Sequence, residues 1–401
     1  MDLKLLRTLV QDAETKILLL VMDGLGDIES RQFGETALEV AQTPNLDRLA
    51  TRGICGLHLP VGSGISPGSG AAHLALFGYA PYQYRVGRGV LEALGIAFDL
   101  QPGDIALRGN FCAVDDQGAL VDGRARRMNT SKNRARCERL REIRLPGVET
   151  FVETIKGHRF LLVLRGDDLS PDVGDTDPQR LGELPLAPEP RSPDARHTAS
   201  LVADFVAQAA QILSDGYPAN MVILRGCGRL PHWPDFHETT GLRAAAIASH
   251  PMYLGLASLL GMATHRSGGK INRQIRLLEE IWHDYDFFYL HVKRPDIAGE
   301  DGDFGRKVRV IESVDRRMPR LLKLSPDVLI VTGDHSTPAA MHSHSWHPVP
   351  VVLWSENSRR DAVTHFGETA CIQGALGPRL PAEDILPIAL ANAGRLRKLD
   401  A

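Results

Sequence analysis

The stretch that decides the fold is Lys16-Ile-Leu-Leu-Leu-Val-Met22, which runs directly into Asp23-Gly24. This apolar run is too short for a buried helix, but it has the length and the continuous apolar character of a strand that is covered on both faces. A helix is expected to start soon afterwards, because Thr43 can act as its N-cap and Pro44 suits its first position. The beginning of the chain therefore predicts a strand, a loop that begins at Asp23, and a helix.

Two later segments repeat this pattern. Phe287–Val292 runs into Lys293-Arg-Pro-Asp296, and Asp327–Thr332 runs into Gly333-Asp334-His335. In open parallel sheets, ligands bind at the carboxyl ends of the strands. Three apolar strands that end in acidic or histidine-containing loops therefore predict one shared site with metal-binding side chains.

The middle of the chain has a different residue composition. Residues 122–144 contain many arginines and lysines, and residues 166–194 are crowded with Asp and Pro. A chain of 401 residues is long enough for two domains of about 100–200 residues each. We therefore predict a core domain formed by residues 1–79 and 236–401, with a second domain, residues 80–235, inserted into it.

The composition excludes several classes of partner. Lys and Arg total 46 and Asp and Glu total 49, so the net charge is −3, and no overall positive charge is present to attract nucleic acid or an anionic membrane. The longest wholly apolar run, Ile17–Met22, is far shorter than the roughly 20 residues of a membrane span, and charged residues stand where a signal peptide would be apolar. We therefore expect a cytoplasmic protein whose anionic partners are small.

Cysteine and histidine are distributed differently. The five cysteines are odd in number, and no two form a C-x-x-C pair, which argues against a disulfide framework and against a cysteine zinc site. Among the 15 histidines, four fall within one short segment: His335, His342, His344 and His347. This local enrichment indicates metal or phosphate chemistry.

Taken one at a time, the candidate site residues have simpler explanations. Asp23-Gly24 after a strand is a common turn, Asp296 and Glu300 can belong to a solvated acidic loop, and Ser69 lies in a glycine-rich segment that can be flexible. If a helix begins near Ser69, however, its positive end and free backbone N–H groups suit a nucleophile that attacks phosphate. Each residue by itself leaves both interpretations open.

The order of the motifs is more informative than any one of them. Along the chain, the sequence reads V-M-D-G-L-G-D, T-P-N-L-D, P-G-S-G-x-x-H-L-A-L-F-G-Y, G-R-G-V-L-E-A-L-G, P-D-I-A-G-E-D-G-D, T-G-D-H-S-T-P and H-S-W-H-P-V-P. In this order, the motifs resemble the cofactor-independent phosphoglycerate mutases of the archaeal type, members of the alkaline-phosphatase superfamily. The resemblance implies an α/β fold, with an alkaline-phosphatase-like parallel sheet core and an inserted smaller α/β domain.

The resemblance also implies a site with two divalent metal ions and a serine nucleophile. In that family, one ion is bound by an early Asp, the serine and an Asp-His pair, and the other by an Asp, the residue four positions later and a late His. The matching residues are Asp23, Ser69, Asp334 and His335 for the first ion, and Asp296, Glu300 and His344 for the second. The implied reaction interconverts 3-phosphoglycerate and 2-phosphoglycerate through a phosphoserine at Ser69, in glycolysis and gluconeogenesis and without 2,3-bisphosphoglycerate.

Two positions depart from the family pattern. Many members have an acidic residue directly after the nucleophile, where this chain has Gly70, and many have His where this chain has Glu300. The first change removes a hydrogen-bonding group near the substrate. A carboxylate in place of an imidazole makes the second metal site harder, so we expect Mn²⁺ or Mg²⁺ to be favoured over Zn²⁺, which stays possible.

A mutase must hold glycerate between two phosphoryl transfers, and the planar fork of arginine suits a carboxylate or a phosphate. The candidates are Arg124, Arg127, Arg165 and Arg225, all in the inserted region, where the family keeps its substrate-binding domain. For Arg124 and Arg127, a basic surface is an equal alternative. The expected partner is a small phosphorylated sugar acid, and the residues carry no indication of an oligomeric state.

Two other functions fit the same residues. A metal-dependent phosphatase or phosphodiesterase on the same scaffold would result if water reached the phosphoserine before the acceptor hydroxyl did. A non-catalytic protein that binds a phosphorylated metabolite is the more distant alternative, because all seven ligand-type residues are present. Release of phosphate from 3-phosphoglycerate, with no 2-phosphoglycerate formed, would identify the phosphatase.

Overall fold

A computed structural model describes residues 2–400, which form two compact units. The first unit consists of the described residues up to Arg85 and from Trp233 onward, and the second unit is Val86–His232. The second unit is therefore inserted into the sequence of the first. None of the helices in the described part of the chain combines the length and the apolar character that crossing a bilayer requires.

Residues 2–400 contain thirteen strands. In chain order they are β1 (Ile17–Met22), β2 (Ile54–Leu59), β3 (Ile105–Val114), β4 (Leu120–Asp122), β5 (Glu149–Lys156), β6 (Arg159–Arg165), β7 (Met221–Arg229), β8 (Ala244–Ala248), β9 (Ala263–Arg266), β10 (Phe287–Val292), β11 (Val328–Thr332), β12 (Val349–Ser355) and β13 (Gly377–Pro381).

The same residues form fifteen α-helices. They are α1 (Leu3–Leu9), α2 (Ala37–Val40), α3 (Pro44–Arg52), α4 (Ser69–Leu76), α5 (Arg88–Gly95), α6 (Thr130–Leu140), α7 (Arg196–Leu213), α8 (Phe236–Thr240), α9 (Pro251–Leu259), α10 (Ile271–Ile281), α11 (Arg294–Glu300), α12 (Phe304–Asp315), α13 (Met318–Leu322), α14 (Glu368–Cys371) and α15 (Ile385–Asn392). Three short 3₁₀ helices complete the set, at Ala125–Arg127, Pro193–Ala195 and Ala382–Asp384.

The first unit is built around a sheet whose strands, in the described residues, follow the order β13-β2-β12-β11-β1-β10-β8-β9. Neighbouring strands from β11 to β9 are parallel, whereas β12 runs antiparallel to both of its neighbours. The predicted α/β architecture with a parallel-rich sheet is confirmed. The antiparallel strand is the difference, and it arises because the described segment between β11 and β12 contains no crossover helix to carry the chain back to the other end of the sheet.

The strands that were predicted from apolar runs lie side by side at the centre of this sheet. All six residues of β1 are buried, and Met22 lies beside Val292 of β10. On one face, Leu18 of β1 belongs to a core cluster with Leu46 of α3 and Ile311 of α12. Because β1, β10 and β11 are parallel and in register, their carboxyl ends lie at the same edge of the sheet.

The second unit has an antiparallel sheet in which β3 is central, with β6 on one side and β7 on the other. One face of this sheet is covered by α6 and α7, where Phe160 of β6 packs in a cluster with Phe205 of α7. The opposite face receives α5, whose Val90 packs against Ala106 and Leu161. Side chains alternate between the two faces along each strand, so every second residue of β3 points towards α5.

Candidate functional site

Three wholly buried side chains meet at the carboxyl ends of β1 and β11. Asp23 follows β1, and Asp334 and His335 follow β11. The Nε2 atom of His335 lies 3.1 Å from Asp334 Oδ2 and 3.6 Å from Asp23 Oδ1. One ligand-type atom from each residue lies within 4.8 Å of the others, which is the spacing of a metal site. We call Asp23, Asp334 and His335 the first group.

Ser69 stands beside this group at the beginning of α4. Gly68 is the N-cap and has extended backbone geometry, so the helix starts at the serine, where the first backbone N–H groups of a helix have no partner within it. The Ser69 Oγ atom is 3.2 Å from His335 Nε2, and the serine side chain is almost completely buried. One turn later, His73 Nδ1 donates a hydrogen bond of 2.7 Å to the carbonyl oxygen of Ser69. The position of Ser69 thus combines a helix N-terminus with a nearby cluster of metal-type side chains.

A second group is formed by Asp296, His335 and His344, whose ligand-type atoms also lie within 4.8 Å of one another. His344 Nε2 is 3.4 Å from Asp296 Oδ1, while His344 Nδ1 donates to the carbonyl oxygen of Pro67 at 2.9 Å. The imidazole rings of His335 and His344 are stacked with centroids 3.7 Å apart. Asp296, at the start of α11, is thereby brought to the edge where the first group lies.

The orientation of His335 is set by Thr337. The Thr337 hydroxyl donates to Asp296 Oδ1 at 2.7 Å and lies 3.1 Å from His335 Nδ1, which must therefore carry the proton in this contact. The lone pair of Nε2 is then directed towards both groups. One nitrogen lone pair can bind one cation, so the two groups cannot both use His335 at the same time.

Glu300, the predicted ligand that departs from the family pattern, lies elsewhere. It is the last residue of α11, it is exposed, and it belongs to neither of the two groups found in the described residues. Asp23, Ser69, Asp334, His335, Asp296 and His344 are brought together by the structure, and Glu300 is not.

The first group has the properties expected of a cation site. Within residues 2–400, the buried Asp23 Oδ1 has no hydrogen-bond partner, and the buried Asp334 Oδ2 lies beside the imidazoles of His73 and His335, at 3.2 and 3.1 Å. Leaving carboxylate oxygens buried and unpaired is costly, whereas oxygen and imidazole donors are the ligands that a divalent cation uses. The residues present therefore fit a divalent metal ion.

A lysine that sequence reasoning missed also occupies this region. Lys293 Nζ lies 2.7 Å from Asp296 Oδ2 and 3.0 Å from Asp23 Oδ2. Burial opposes its charge, but Asp23, Tyr253 and Asp296 outweigh burial and raise its pKa well above the ordinary value. Its place directly after β10, in the loop that contains Asp296, is the signal that could have identified it.

The arginines that were predicted to bind substrate have different surroundings in the second unit. Arg165 makes two hydrogen bonds of 2.8 Å to Asp104, which is almost completely buried. The side chain of Arg225 is half-buried, and its Nη1 atom lies 3.3 Å from Asp177 Oδ2. Arg124 and Arg127 are exposed, next to and within a short 3₁₀ helix respectively. Of the four, Arg165 is thus committed to a structural ion pair.

Arg225 belongs to a larger cluster on the face that receives α5. In the sheet, Arg108 of β3 lies directly opposite Arg225 of β7, and Asn110 of β3 lies directly opposite Arg159 of β6. Residues that are directly opposite in antiparallel strands point to the same face. We call Arg108, Asn110, Arg159 and Arg225 the arginine face.

Positive charge predominates on the arginine face, although the buried Glu92 carboxylate lies near Arg108 and Arg159, and Arg225 is paired with Asp177. Arg108 is 6% exposed, and its Nε atom has no hydrogen-bond partner in the described part of the chain. Burial lowers the pKa of Arg108 to about 9, and the charges of Arg88, Arg159 and Arg225 act in the same direction. Burial and the nearby arginines also lower the pKa of His158 to about 4. A partly buried, positively charged surface of this kind suits a small anion. The alternation of Arg108 and Asn110 within the apolar run of β3 was the available signal in the sequence.

Known proteins resemble the chain over its whole length. A family model described as 2,3-bisphosphoglycerate-independent phosphoglycerate mutase matches residues 50–219. A relative from Thermus thermophilus, named as a probable enzyme of this kind, is 45% identical, and the alignment covers all of both chains. A relative from Thermotoga neapolitana with the same name is 44% identical, with 99% of each chain covered.

Two solved structures have the same fold. A protein from Pyrococcus horikoshii superposes with a TM-score of 0.83 at 29% identity, covering 97% of this chain and 100% of the other. A cofactor-independent phosphoglycerate mutase from Thermoplasma acidophilum gives a TM-score of 0.68 at 32% identity, covering 95% and 100%. Full-length identity of this degree, together with the shared fold, shows that the chain belongs to the family of 2,3-bisphosphoglycerate-independent phosphoglycerate mutases.

Proposed function

We propose that this chain interconverts 3-phosphoglycerate and 2-phosphoglycerate through a phosphoserine formed at Ser69, without 2,3-bisphosphoglycerate. The observation that carries the proposal is the position of Ser69, whose hydroxyl lies at a helix N-terminus and 3.2 Å from His335 of the first group. The names of the full-length relatives support the same reaction. As a step of glycolysis and gluconeogenesis, the reaction would take place in the cytoplasm.

The proposed cofactors are two divalent cations. Asp23, Ser69, Asp334 and His335 would hold the first, and Asp296 and His344, joined by Glu300 if its side chain turns inward, would hold the second. A high proportion of carboxylate oxygens favours Mn²⁺ or Mg²⁺, with Zn²⁺ possible. When bound, the cations favour the ionised serine hydroxyl and screen the charge of the phosphoryl oxygens.

The residues of the chain then perform a double transfer. Ser69 Oγ forms a bond to phosphorus while the bond from phosphorus to O3 of the glycerate breaks, and the departing oxygen takes up the proton that the serine gave up. The freed glycerate turns so that its 2-hydroxyl oxygen forms a bond to phosphorus while the bond from phosphorus to Ser69 Oγ breaks. The proton of that hydroxyl passes to Oγ, which restores the serine and yields 2-phosphoglycerate. The amino end of α4 stabilises the phosphoryl charge at both stages.

The mutase must keep the glycerate bound between the two transfers. We assign this task to the arginine face, in which Arg108 and Arg225 lie on the same side of the sheet and provide guanidinium groups for a carboxylate. Arg124 and Arg127 stay candidates for outer contacts with the substrate. Arg165 is the weakest of the predicted set, because Asp104 already occupies its guanidinium.

The alternative function, hydrolysis by a phosphatase or phosphodiesterase, is not favoured. Both reactions would share the phosphoserine, but full-length relatives at 43–45% identity are named as mutases. Binding without catalysis is disfavoured by the buried serine beside the first group.

The deciding experiment is an enolase-coupled assay with 3-phosphoglycerate and saturating Mn²⁺, with free phosphate measured in parallel. We expect 2-phosphoglycerate to form much faster than phosphate. Phosphate release without 2-phosphoglycerate would support the phosphatase instead, and the absence of both products would exclude both enzymes.

A further inference from the structure

The two carboxylate oxygens of Asp23 have very different surroundings. Asp23 Oδ2 accepts from the Tyr253 hydroxyl at 2.5 Å and lies 2.9 Å from His291 Nε2 and 3.0 Å from Lys293 Nζ. Asp23 Oδ1 has no hydrogen-bond partner among the described residues, and it points towards His335. One oxygen is therefore saturated, and the other is left open towards the first group.

Tyr253 and His291 approach Asp23 from outside the loops that contain the first and second groups. Tyr253 belongs to α9, and His291 lies within β10, in a strand whose other residues are apolar or aromatic. Their rings are 3.8 Å apart and both side chains are almost completely buried. The two rings pack together on one side of the Asp23 carboxylate.

The polar atoms of Tyr253 and His291 make few hydrogen bonds other than those to Asp23. Within residues 2–400, His291 Nδ1 has no hydrogen-bond partner, so Nε2 is the atom through which the buried imidazole acts. The Tyr253 hydroxyl accepts from Lys293 at 2.8 Å and donates to Asp23. Burying an imidazole and a phenol is unfavourable unless they make hydrogen bonds, and Asp23 is the partner common to both.

We propose that Tyr253 and His291 are positioning residues that hold Asp23 Oδ2, so that Asp23 offers Oδ1 alone to the cation of the first group. The inference rests on the proposed function in one respect, that a divalent cation binds at Asp23. A carboxylate that is already oriented loses little freedom when it binds a cation, and removal of such supporting contacts typically weakens metal binding by about 10- to 100-fold.

The test measures the affinity of the full-length protein for Mn²⁺ by calorimetry, without substrate. A His344→Gln background removes a side chain of the second group, so that the heat reports on the first group. In this background, Tyr253→Phe should weaken Mn²⁺ binding by about 10-fold or more, because it deletes one hydrogen bond and leaves the ring in place. Thermal unfolding confirms that each variant is folded.

Tyr289 provides a matched control. It lies in β10, it is wholly buried with its ring 5.7 Å from that of His291, and its hydroxyl has no hydrogen-bond partner among residues 2–400. Tyr289→Phe deletes the same atom from the same aromatic cluster, and we expect Mn²⁺ affinity to stay within twofold of the background protein. An equal loss in both variants would overturn the proposal, since the effect would then come from the cluster and not from Asp23.

A pair of substitutions at His291 gives an independent test. His291→Gln retains an N–H donor at a similar distance from the backbone, whereas His291→Leu does not. We expect the glutamine variant to keep most of the Mn²⁺ affinity and the leucine variant to lose about 10-fold or more. If Tyr253→Phe fails to fold, this pair decides alone, and equal affinity of the two variants would overturn the proposal.

A purely structural role is distinguished by the effect of excess metal. If positioning is the role, turnover by Tyr253→Phe should recover at high Mn²⁺ concentration, whereas a distorted fold would not recover. A wild-type protein that binds no Mn²⁺ would overturn this inference. A protein that shows the expected Mn²⁺ pattern but forms no 2-phosphoglycerate would uphold this inference and refute the proposed function.

Discussion

The first group is rich in negative charge, and the arginine face is rich in positive charge. The first group lies at the strand ends of its sheet, whereas the arginine face lies along the strands of another sheet. In the first unit, carboxylates and imidazoles stand in loops at the carboxyl ends of parallel strands. In the second unit, guanidinium groups stand in the middle of antiparallel strands, where Arg108 and Arg225 lie directly opposite each other. The first arrangement suits a cation and the second suits an anion.

The difference teaches how each architecture collects like charges. Parallel strands end at a common edge, so residues as distant in sequence as Asp23 and Asp334 meet whenever their strands are neighbours. Antiparallel strands place side chains opposite one another along their length, so a cluster depends on the register of pairing. Like charges repel, so a counter-ion should stabilise each cluster, and we propose a metal ion for the first group and an acidic substrate for the arginine face.

The largest effect expected from this comparison is at Ser69. Ser69→Ala should reduce mutase turnover by at least about 10³-fold, because it removes the nucleophile from the first unit and leaves the second unit unchanged. The enolase-coupled assay measures the loss. Ser66→Ala, a substitution at an exposed position of the same loop, is the matched control and should keep full activity. Retained turnover in Ser69→Ala would exclude the phosphoserine mechanism.

The next prediction separates transfer of the phosphoryl group from retention of the glycerate. Arg225→Ala should lower the ratio of 2-phosphoglycerate formed to phosphate released by about 30- to 150-fold, because losing a charge-assisted contact with the glycerate costs about 2–3 kcal/mol. Both products are measured in the same reaction under saturating Mn²⁺. Arg165→Ala is the control, since Arg165 is also a strand residue that precedes a glycine, but two hydrogen bonds of 2.8 Å hold its guanidinium against Asp104. An unchanged ratio in Arg225→Ala would show that Arg225 does not hold the glycerate.

Arg165→Ala should have a different consequence, which sharpens the contrast within the second unit. The substitution leaves Asp104 buried without its partner, and we expect the free energy of unfolding to fall by about 1–3 kcal/mol while the product ratio stays constant. Urea unfolding measures this loss. Asp104→Asn with Arg165→Ala should recover part of the stability, because the unpaired charge is then absent. If the product ratio changed while the free energy of unfolding did not, Arg165 would be a substrate-binding residue.

The smallest effect is expected at Glu300. Its side chain is exposed at the end of α11, so a role as ligand requires it to turn inward when the second cation binds. Glu300→Gln should weaken binding of the second Mn²⁺ by less than about 10-fold, since a neutral amide replaces one carboxylate among several donors. Calorimetry in the presence of substrate measures this step. Unchanged affinity and activity would leave Glu300 as an exposed acidic residue, and the second group would consist of histidine and aspartate alone.

The sequence by itself determined the elements that depend on local pattern. The apolar runs predicted β1, β10 and β11, and Thr43-Pro44 predicted the start of α3, because burial on both faces and helix-start preferences are properties of short segments. Asp23 and Ser69 lie in a strand-end loop and at a helix start that local pattern also indicates, but their assignment to one site came from the family resemblance that the order of the motifs carries.

Other features were decided by tertiary structure alone. The pairing of Arg165 with Asp104 and the contact of Tyr253 with Asp23 each join segments that are distant in sequence. Their geometry depends on strand register and on how helices pack on the sheet, and neither quantity is encoded in a short window of residues. The arginine face is the clearest case, because its members become neighbours when β3 pairs with β6 and β7 in one particular register.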